Sequence, residues 1–211
     1  MVCAGAQLRN YGFFFFYQSI GMTKAALRAE FLKRRQALTE QERSRLDDLI
    51  LILFQQWYWP DQLQTVLSYW PLRERAEPNT FLLTDFMEFR IPELRLCYPV
   101  INANSSTMEA RLVDMDTDYV KNQYGIAEPK TEEVIAPIEL DLVLVPLLAV
   151  DKQGYRLGYG KGFYDRYLAQ VRTDCYTLGI SYFEPVEEIP ERDDYDLPLN
   201  GCITPDALYE F

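Results

Sequence analysis

The chain has 211 residues, 48% of them apolar and 25% charged, which suits one sizeable hydrophobic core and excludes low-complexity disorder and a solenoid. Its 21 Lys and Arg face 32 Asp and Glu, a net charge of −11. That sign excludes a long nucleic acid as partner, whereas a small anion needs only a few local cations. Histidine is absent, so Ser-His-Asp and Cys-His nucleophile pairs are ruled out, and histidine metal ligands with them. The cysteines Cys3, Cys97, Cys175 and Cys202 are scattered without a CxxC pair. This fits a reducing compartment and suggests neither a thiolate zinc cage nor a redox pair. Magnesium held by oxygen ligands stays open, because carboxylates are abundant.

The first 21 residues contain the run Phe13 to Tyr17. It is too short to cross a membrane, which takes about 20 apolar residues. Arg9 ahead of it resembles a weak signal peptide, but no clean small-residue cleavage site follows. We expect Met22 to be the start, residues 1–21 to be a poorly structured upstream extension, and residues 22–211 to form a single catalytic domain.

Thr23 is placed to cap a helix running to about Leu38, with Leu27 and Phe31 near one face. A second helix is predicted over 40–59, with Leu46, Leu49, Ile50, Leu53, Phe54 and Trp57 as its apolar stripe and Pro60 as its stop. Strands are predicted over 65–70, 94–100, 107–113 and 176–182, and a short helix over 80–89. Pro78-Asn79 and Tyr124 to Pro129 read as turns. The Leu/Val run over 140–150 reads as one strand buried on both faces, as in a covered parallel sheet. A glycine-rich loop and a helix over 161–171 follow, and the segment from Glu184 to Asp196 is acidic and proline-punctuated. Helices alternating with strands imply one three-layer α/β domain with a mostly parallel central sheet.

The sharpest feature is the segment from Asp151 to Arg166, DKQGYRLGYGKGFYDR, between a buried strand and a helix. Glycines let the backbone approach a ligand and turn N–H groups toward it, and a helix N-terminus favours phosphate. Arg156 and Lys161 add charged donors. The pattern is neither a dinucleotide fingerprint nor a Walker A loop. A tight turn whose glycines merely permit packing is the alternative. Lys24 and Arg28 share a helical face at i,i+4, in the first turns, where the dipole disfavours cations. An anion between them would offset that cost; a solvated basic face continuing into Lys33, Arg34 and Arg35 is the plainer reading. Asp165 is placed to hold Mg²⁺ against bound phosphates, while Asp193, Asp194 and Asp196 are either solvated or bridged by a cation.

Together these segments resemble the 5-formyltetrahydrofolate cyclo-ligase family. The resemblance runs through Lys24-Ala25-Ala26-Leu27-Arg28, then Ser68-Tyr69-Trp70-Pro71 with Glu77-Pro78-Asn79-Thr80. It continues in Pro99-Val100, Gly125 to Pro129 and the glycine loop, and ends in Asp196-Leu197-Pro198-Leu199 with Ile203-Thr204-Pro205. It implies a Rossmann-like fold similar to the sugar-phosphate isomerase and CoA-transferase type. It implies conversion of 5-formyltetrahydrofolate to 5,10-methenyltetrahydrofolate with hydrolysis of MgATP: the formyl oxygen attacks the γ-phosphate, N10 closes the ring and phosphate leaves. Lys24, Arg28, Arg156 and Leu157, Gly158, Tyr159, Gly160, Lys161, Gly162, Phe163 and Tyr164 would then bind the nucleotide. Asp165 and Asp196 would hold the metal, with Asp194 as the alternative to Asp196. Trp70, Leu72, Glu77 and Tyr164 would bind the folate, and Glu77, Arg156 and Tyr164 would be catalytic. Departures from the family pattern are Tyr195 where His or Asn is frequent, Asn200 where Asp is frequent, and Lys161 where Gly is frequent. The expected setting is cytoplasmic, as a monomer or weak homo-oligomer, without nucleic acid or membrane. A related enzyme that works without ATP and a catalytically silent folate binder are the rival readings.

Overall fold

A computed structural model of the protein describes residues 22–59, 62–102, 104–193 and 196–211. The expectations placed on residues 1–21, Pro60, Asp194 and Tyr195 lie outside them. The described residues form α1 (Lys24–Gln36), α2 (Glu40–Gln56), β1 (Thr65–Leu67), α3 (Phe81–Arg90), β2 (Arg95–Asn102) and β3 (Thr107–Leu112). Next come β4 (Tyr119–Lys121), β5 (Ala127–Pro129), β6 (Val134–Ile135), β7 (Leu142–Val145), β8 (Ala149–Val150) and β9 (Arg156–Leu157). The chain closes with α4 (Phe163–Leu168), β10 (Tyr176–Ile180), β11 (Gly201–Ile203) and β12 (Leu208–Glu210). No helix among the described residues is long and apolar enough to cross a membrane.

Eight strands join in the order β12-β11-β10-β7-β1-β2-β3-β6. The central run from β11 to β2 is parallel, and antiparallel strands lie at both edges. Side chains alternate across the sheet with the two-residue period of a strand. Val66, Leu96, Leu142 and Leu144 pack with Ile50 and Phe54 of α2 and Leu83 and Met87 of α3. Their neighbours Leu67, Cys97, Val143 and Val145 pack on the other face with Tyr167 and Leu168 of α4. This is the three-layer, Rossmann-like arrangement the sequence implied. Helix α1 sits apart, with Leu27 and Phe31 against Leu148, Ala149 and Leu157 of the β8–β9 hairpin.

Local chemistry sets the helix ends. Thr23 Oγ1 accepts the Ala26 N–H at 3.2 Å, and Thr39 with Glu42 forms a reciprocal capping box. Helix α2 stops at Gln56 rather than reaching position 59, because Trp57 turns extended as the cap. Trp59 then folds back, donating its indole N–H to the Phe54 carbonyl at 3.1 Å and packing its ring on Phe54. A carbonyl left over at the helix end is satisfied by that return.

The strand expected over 140–150 is two strands. After β7 the chain reaches Pro146, which has no N–H for a sheet ladder. It then turns into the separate β8–β9 hairpin. The helix expected over 161–171 is only Phe163–Leu168, started by Gly162 in the left-handed region at φ 69° and ended near Ala169. At six residues it supplies little of the dipole argument made for the loop. The strand expected over 65–70 ends at Leu67, which frees Ser68 to Leu72 to leave the sheet. The segment read as a turn over 124–129 contains β5, paired with β4 around Gly125 at φ 78°.

Candidate active site

Beginning from β1, the chain builds outward to β2 on one side and to β7, β10 and β11 on the other. The order therefore reverses between β1 and β7, and ligands of open α/β sheets bind just beyond the carboxyl ends of the strands at such a point. A cavity of about 440 Å³ lies there, in the range that takes a small organic ligand. Tyr69, Trp70 and Leu72 reach it from the end of β1, and Pro146 and Leu148 from the end of β7. The described residues that the family resemblance assigns to the site line this one cavity: Lys24, Arg28, Trp70, Leu72, Glu77, Asp165, Asp196 and the loop from Arg156 to Tyr164, whereas Asp193 lies outside its lining.

The first two cations do not form a solvated face. Lys24 Nζ lies 2.8 Å from Asp196 Oδ2 and 3.5 Å from Asp193 Oδ2. Arg28 Nε donates to the Gly158 carbonyl at 3.0 Å. A Cβ on Gly160 would sit 3.3 Å from the Arg28 guanidinium carbon, and Gly160 has φ 77°. Glycine is needed there twice over, for the backbone conformation and for the arginine lying on it. Part of the anion expected between Lys24 and Arg28 is thus supplied by the chain itself, as Asp196.

Arg156 rises from β9 with a side chain only 4% exposed. It is ion-paired to Asp165 and donates to the Leu197 carbonyl at 3.2 Å. Burial lowers its pKa, while Asp165 and Asp196 act the other way. Burial also opposes the charge of Asp196, but the Lys24 ammonium and the Asp193 N–H outweigh it and hold the carboxyl below the usual 3.8. The two aspartates expected to hold a metal therefore belong to one charged patch around Arg156. No group of three or more acidic or cysteine side chains suited to a metal occurs among the described residues.

Glu77 follows Ala76, a buried residue in the left-handed region at φ 49°, ψ 42° that ends the 3₁₀ turn Arg73–Arg75. A non-glycine residue there is strained, and Glu77, next in the chain, lines the cavity. Glu77 Oε2 accepts the Leu72 N–H at 2.8 Å, and Oε1 accepts the hydroxyl of Tyr159. Tyr164 carries a buried hydroxyl with no hydrogen-bond partner among the described residues. Burial and the nearby Glu77 carboxylate push its pKa up, so it stays a neutral donor. An orphaned donor on a cavity wall marks a place where a ligand atom completes the bonding.

Several lining residues had no sequence signal. Arg75 stacks on the Tyr159 ring, 4.3 Å from its centroid. Tyr124, at the β4–β5 turn, places its ring 5.9 Å from Lys161 Nζ. Only the Gly125 turn hinted at that position. Ile101 and Met108 of the β2–β3 pair also gave no signal; with Pro99, which the family resemblance does mark, they complete an apolar wall with Trp70. Asn200 serves the fold, accepting the Thr177 N–H at 2.8 Å.

Asp196 and Asp141 share a consequence for acid stability. Burial also opposes the charge of Asp141, yet Arg172 and the Thr65 and Gln64 amides hold its carboxyl below 3.8. A depressed carboxyl contributes stability above its unfolded value and loses it as pH falls through the folded value. Thermal unfolding should therefore fall in midpoint below pH 3.8. Asp141→Asn should lower the midpoint at neutral pH and flatten that acid slope; an unchanged slope would remove Asp141 from the account.

The fold and the site define a Rossmann-like α/β protein whose switch-point crevice joins a cationic patch to an apolar wall. Residues 20–205 match the 5-formyltetrahydrofolate cyclo-ligase family, and the chain belongs to it. It is similar to the 5-formyltetrahydrofolate cyclo-ligase of Mycoplasma pneumoniae, with 31% identity over 84% of this chain and 97% of that one. The mouse 5-formyltetrahydrofolate cyclo-ligase is 27% identical over 90% of this chain and 97% of its own. Among solved structures, the Aquifex aeolicus 5,10-methenyltetrahydrofolate synthetase superposes with a TM-score of 0.74 at 29% identity, covering 90% of this chain and 93% of that one.

Proposed function

We propose that the protein converts 5-formyltetrahydrofolate to 5,10-methenyltetrahydrofolate, with hydrolysis of ATP in the presence of Mg²⁺, in the cavity between β1 and β7. The observation that carries this reading is the composition of that one cavity. Lys24, Arg28, Arg156 and Lys161 come to it from α1 and the glycine loop, Trp70 from beyond β1, Pro99, Ile101 and Met108 from the β2–β3 pair, and Glu77 from the end of the 3₁₀ turn after Trp70. Cations suit a polyphosphate, and a flat apolar wall suits a reduced pterin.

The donor set fits the implied nucleotide and metal. Mg²⁺ usually takes one or two protein carboxylates and completes its shell with water and phosphate oxygens. Asp165 and Asp196 would serve in that way, and Lys24, Arg28, Arg156 and Lys161 would hold the phosphates. When bound, MgATP supplies the phosphoryl group that makes the formyl oxygen a good leaving group. The chain's own share is alignment and charge. Tyr164, held neutral by burial, has a hydroxyl free to donate to a substrate oxygen. Glu77 keeps an acceptor in the cavity, suited to an N–H of the folate. Buried Arg156 offers a fixed positive charge where negative charge accumulates, a placement that needs no solvent reorganisation.

The test follows methenyl absorbance during incubation with 5-formyltetrahydrofolate, Mg²⁺ and ATP, beside mixtures lacking each. Growth that needs all three supports the proposal. Growth without ATP points to a different chemistry on this fold, and tight folate binding without growth points to a silent binder. Glu77→Gln should lower folate turnover by about 10²-fold and leave the KM for ATP near that of the wild type. A defect confined to ATP would contradict the role given to Glu77.

A further inference from the structure

Arg35 is the most deeply buried cation of α1. The residue is only 3% exposed, although it follows Lys33 and Arg34 in what reads as a surface basic run. Among the described residues its guanidinium has no carboxylate partner. It donates to the Arg75 carbonyl at 2.8 Å, to the Leu147 carbonyl at 3.0 Å and to the Tyr159 hydroxyl. The Tyr159 hydroxyl in turn donates to Glu77 Oε1. A buried arginine held by two carbonyls and a phenol carries its positive charge at a cost, unless that charge is felt by an anion nearby.

We propose that Arg35 and Tyr159 are positioning residues that hold the Glu77 side chain aimed into the cavity, the phenol bridging guanidinium and carboxylate. The proton order follows from donor chemistry. A guanidinium only donates and a carboxylate only accepts. The Tyr159 hydrogen must therefore point at Glu77, while its lone pair faces Arg35. One Glu77 oxygen is fixed by this bridge and the other by the Leu72 N–H, so the carboxylate plane is locked. Arg75 stacked on the Tyr159 ring keeps the phenol from rotating away. The three contacts draw on α1, the turn after β1, the end of β7 and the glycine loop, so the relay also sets the spacing of the cavity walls. It separates Tyr159 from the loop positions assigned to the nucleotide: its hydroxyl acts on the folate side, through Glu77.

This inference rests on the cyclo-ligase reading and is tested by a double-mutant cycle. Tyr159→Phe keeps the ring that Arg75 stacks on and removes only the bridging hydroxyl. Alone it should lower kcat by about 10- to 100-fold, the worth of one hydrogen bond to a charged group. The KM for ATP should stay near the wild-type value. In a Glu77→Gln background the same change should add less than about twofold, because a residue acting through another loses its effect with it. Arg35→Lys keeps the charge without the three-way fork and should reproduce part of the Tyr159→Phe loss. Equal losses from Tyr159→Phe in both backgrounds, or a loss confined to the KM for ATP, would overturn the relay. Wild-type protein that forms no methenyl product removes the cyclo-ligase reading and the relay together. A fully active Tyr159→Phe removes the relay alone.

Discussion

Arg156→Ala should lower ATP-dependent turnover by about 10³-fold, the scale on which a transition-state arginine contributes to phosphoryl transfer. Its side chain is 4% exposed and shares a wall with Asp165 and Asp196. Removing it takes away the positive charge paired with Asp165, while Asp196 keeps Lys24, so an anionic ligand would then meet one uncompensated carboxylate and a less positive wall. The variant should also lose stability, because Asp165 is left without its ion-pair partner. That side chain is 34% exposed, so water recovers part of the loss and about 1–2 kcal/mol is expected. Adding Asp165→Asn to Arg156→Ala should restore stability without restoring turnover. Steady-state kinetics and thermal unfolding of the single and double variants measure the two effects separately. Wild-type kinetics in Arg156→Ala would exclude the residue from the chemistry, whatever its effect on folding.

Asp151→Ala should be the most destabilising of the changes considered, at about 3–5 kcal/mol, because it empties a fully buried and fully bonded carboxylate site. Asp151 is 0% exposed. Oδ1 accepts the Gln153 and Tyr155 N–H groups, each at 3.0 Å, which closes the turn between β8 and β9. Oδ2 accepts the Ile189 N–H at 3.0 Å and Arg192 Nη2 at 2.6 Å, which ties down the acidic segment leading to Asp196. Arg192 also stacks on Tyr155, 4.2 Å from the ring centroid. For a chain of this size each kcal/mol moves the unfolding midpoint by roughly 2–4 °C, so a fall near 10 °C is expected. Asp151→Asn keeps an acceptor for the turn and should fall by less. A midpoint within about a degree of wild type in Asp151→Ala would show that the segment is held by its backbone bonds alone.

Much of the fold can be read from residue types because local chemistry agrees with the final packing. Thr23 and Thr39 cap where their side chains allow, and Leu142 to Val145 is buried on both faces, as its unbroken apolar pattern requires. The break after Val145 is hidden because Leu147 and Leu148 are as buried as the strand before them; an unbroken apolar run carries no period to interrupt. Strands β4, β5, β11 and β12 are three residues each, too short for alternation to register, and exist because neighbouring strands offer an edge. Motif residues from both halves of the chain converged on one cavity because α1, the segments beyond β1 and β7, the loop from β9 into α4 and the segment before β11 all meet at the switch point. Arg35 was invisible for the opposite reason. Its burial depends on carbonyls at Arg75 and Leu147, which no pattern around residue 35 announces.

Lys24 and Asp196, whose side chains meet across the cavity, are 172 positions apart in the chain. A ribosome releases Lys24 long before Asp196, so α1 has to wait through nearly the whole of synthesis for that contact. Loop closure over such a separation is slow relative to local pairing. Leu27 and Phe31 gain their covering somewhat earlier, when the β8–β9 hairpin and Ile189 arrive, and until that point the nascent chain presents an apolar helix face open to chaperones or to neighbouring chains. The ligand-binding crevice is thus among the last parts of the molecule to form, and a chain truncated before residue 196 would keep much of its sheet while lacking a complete site.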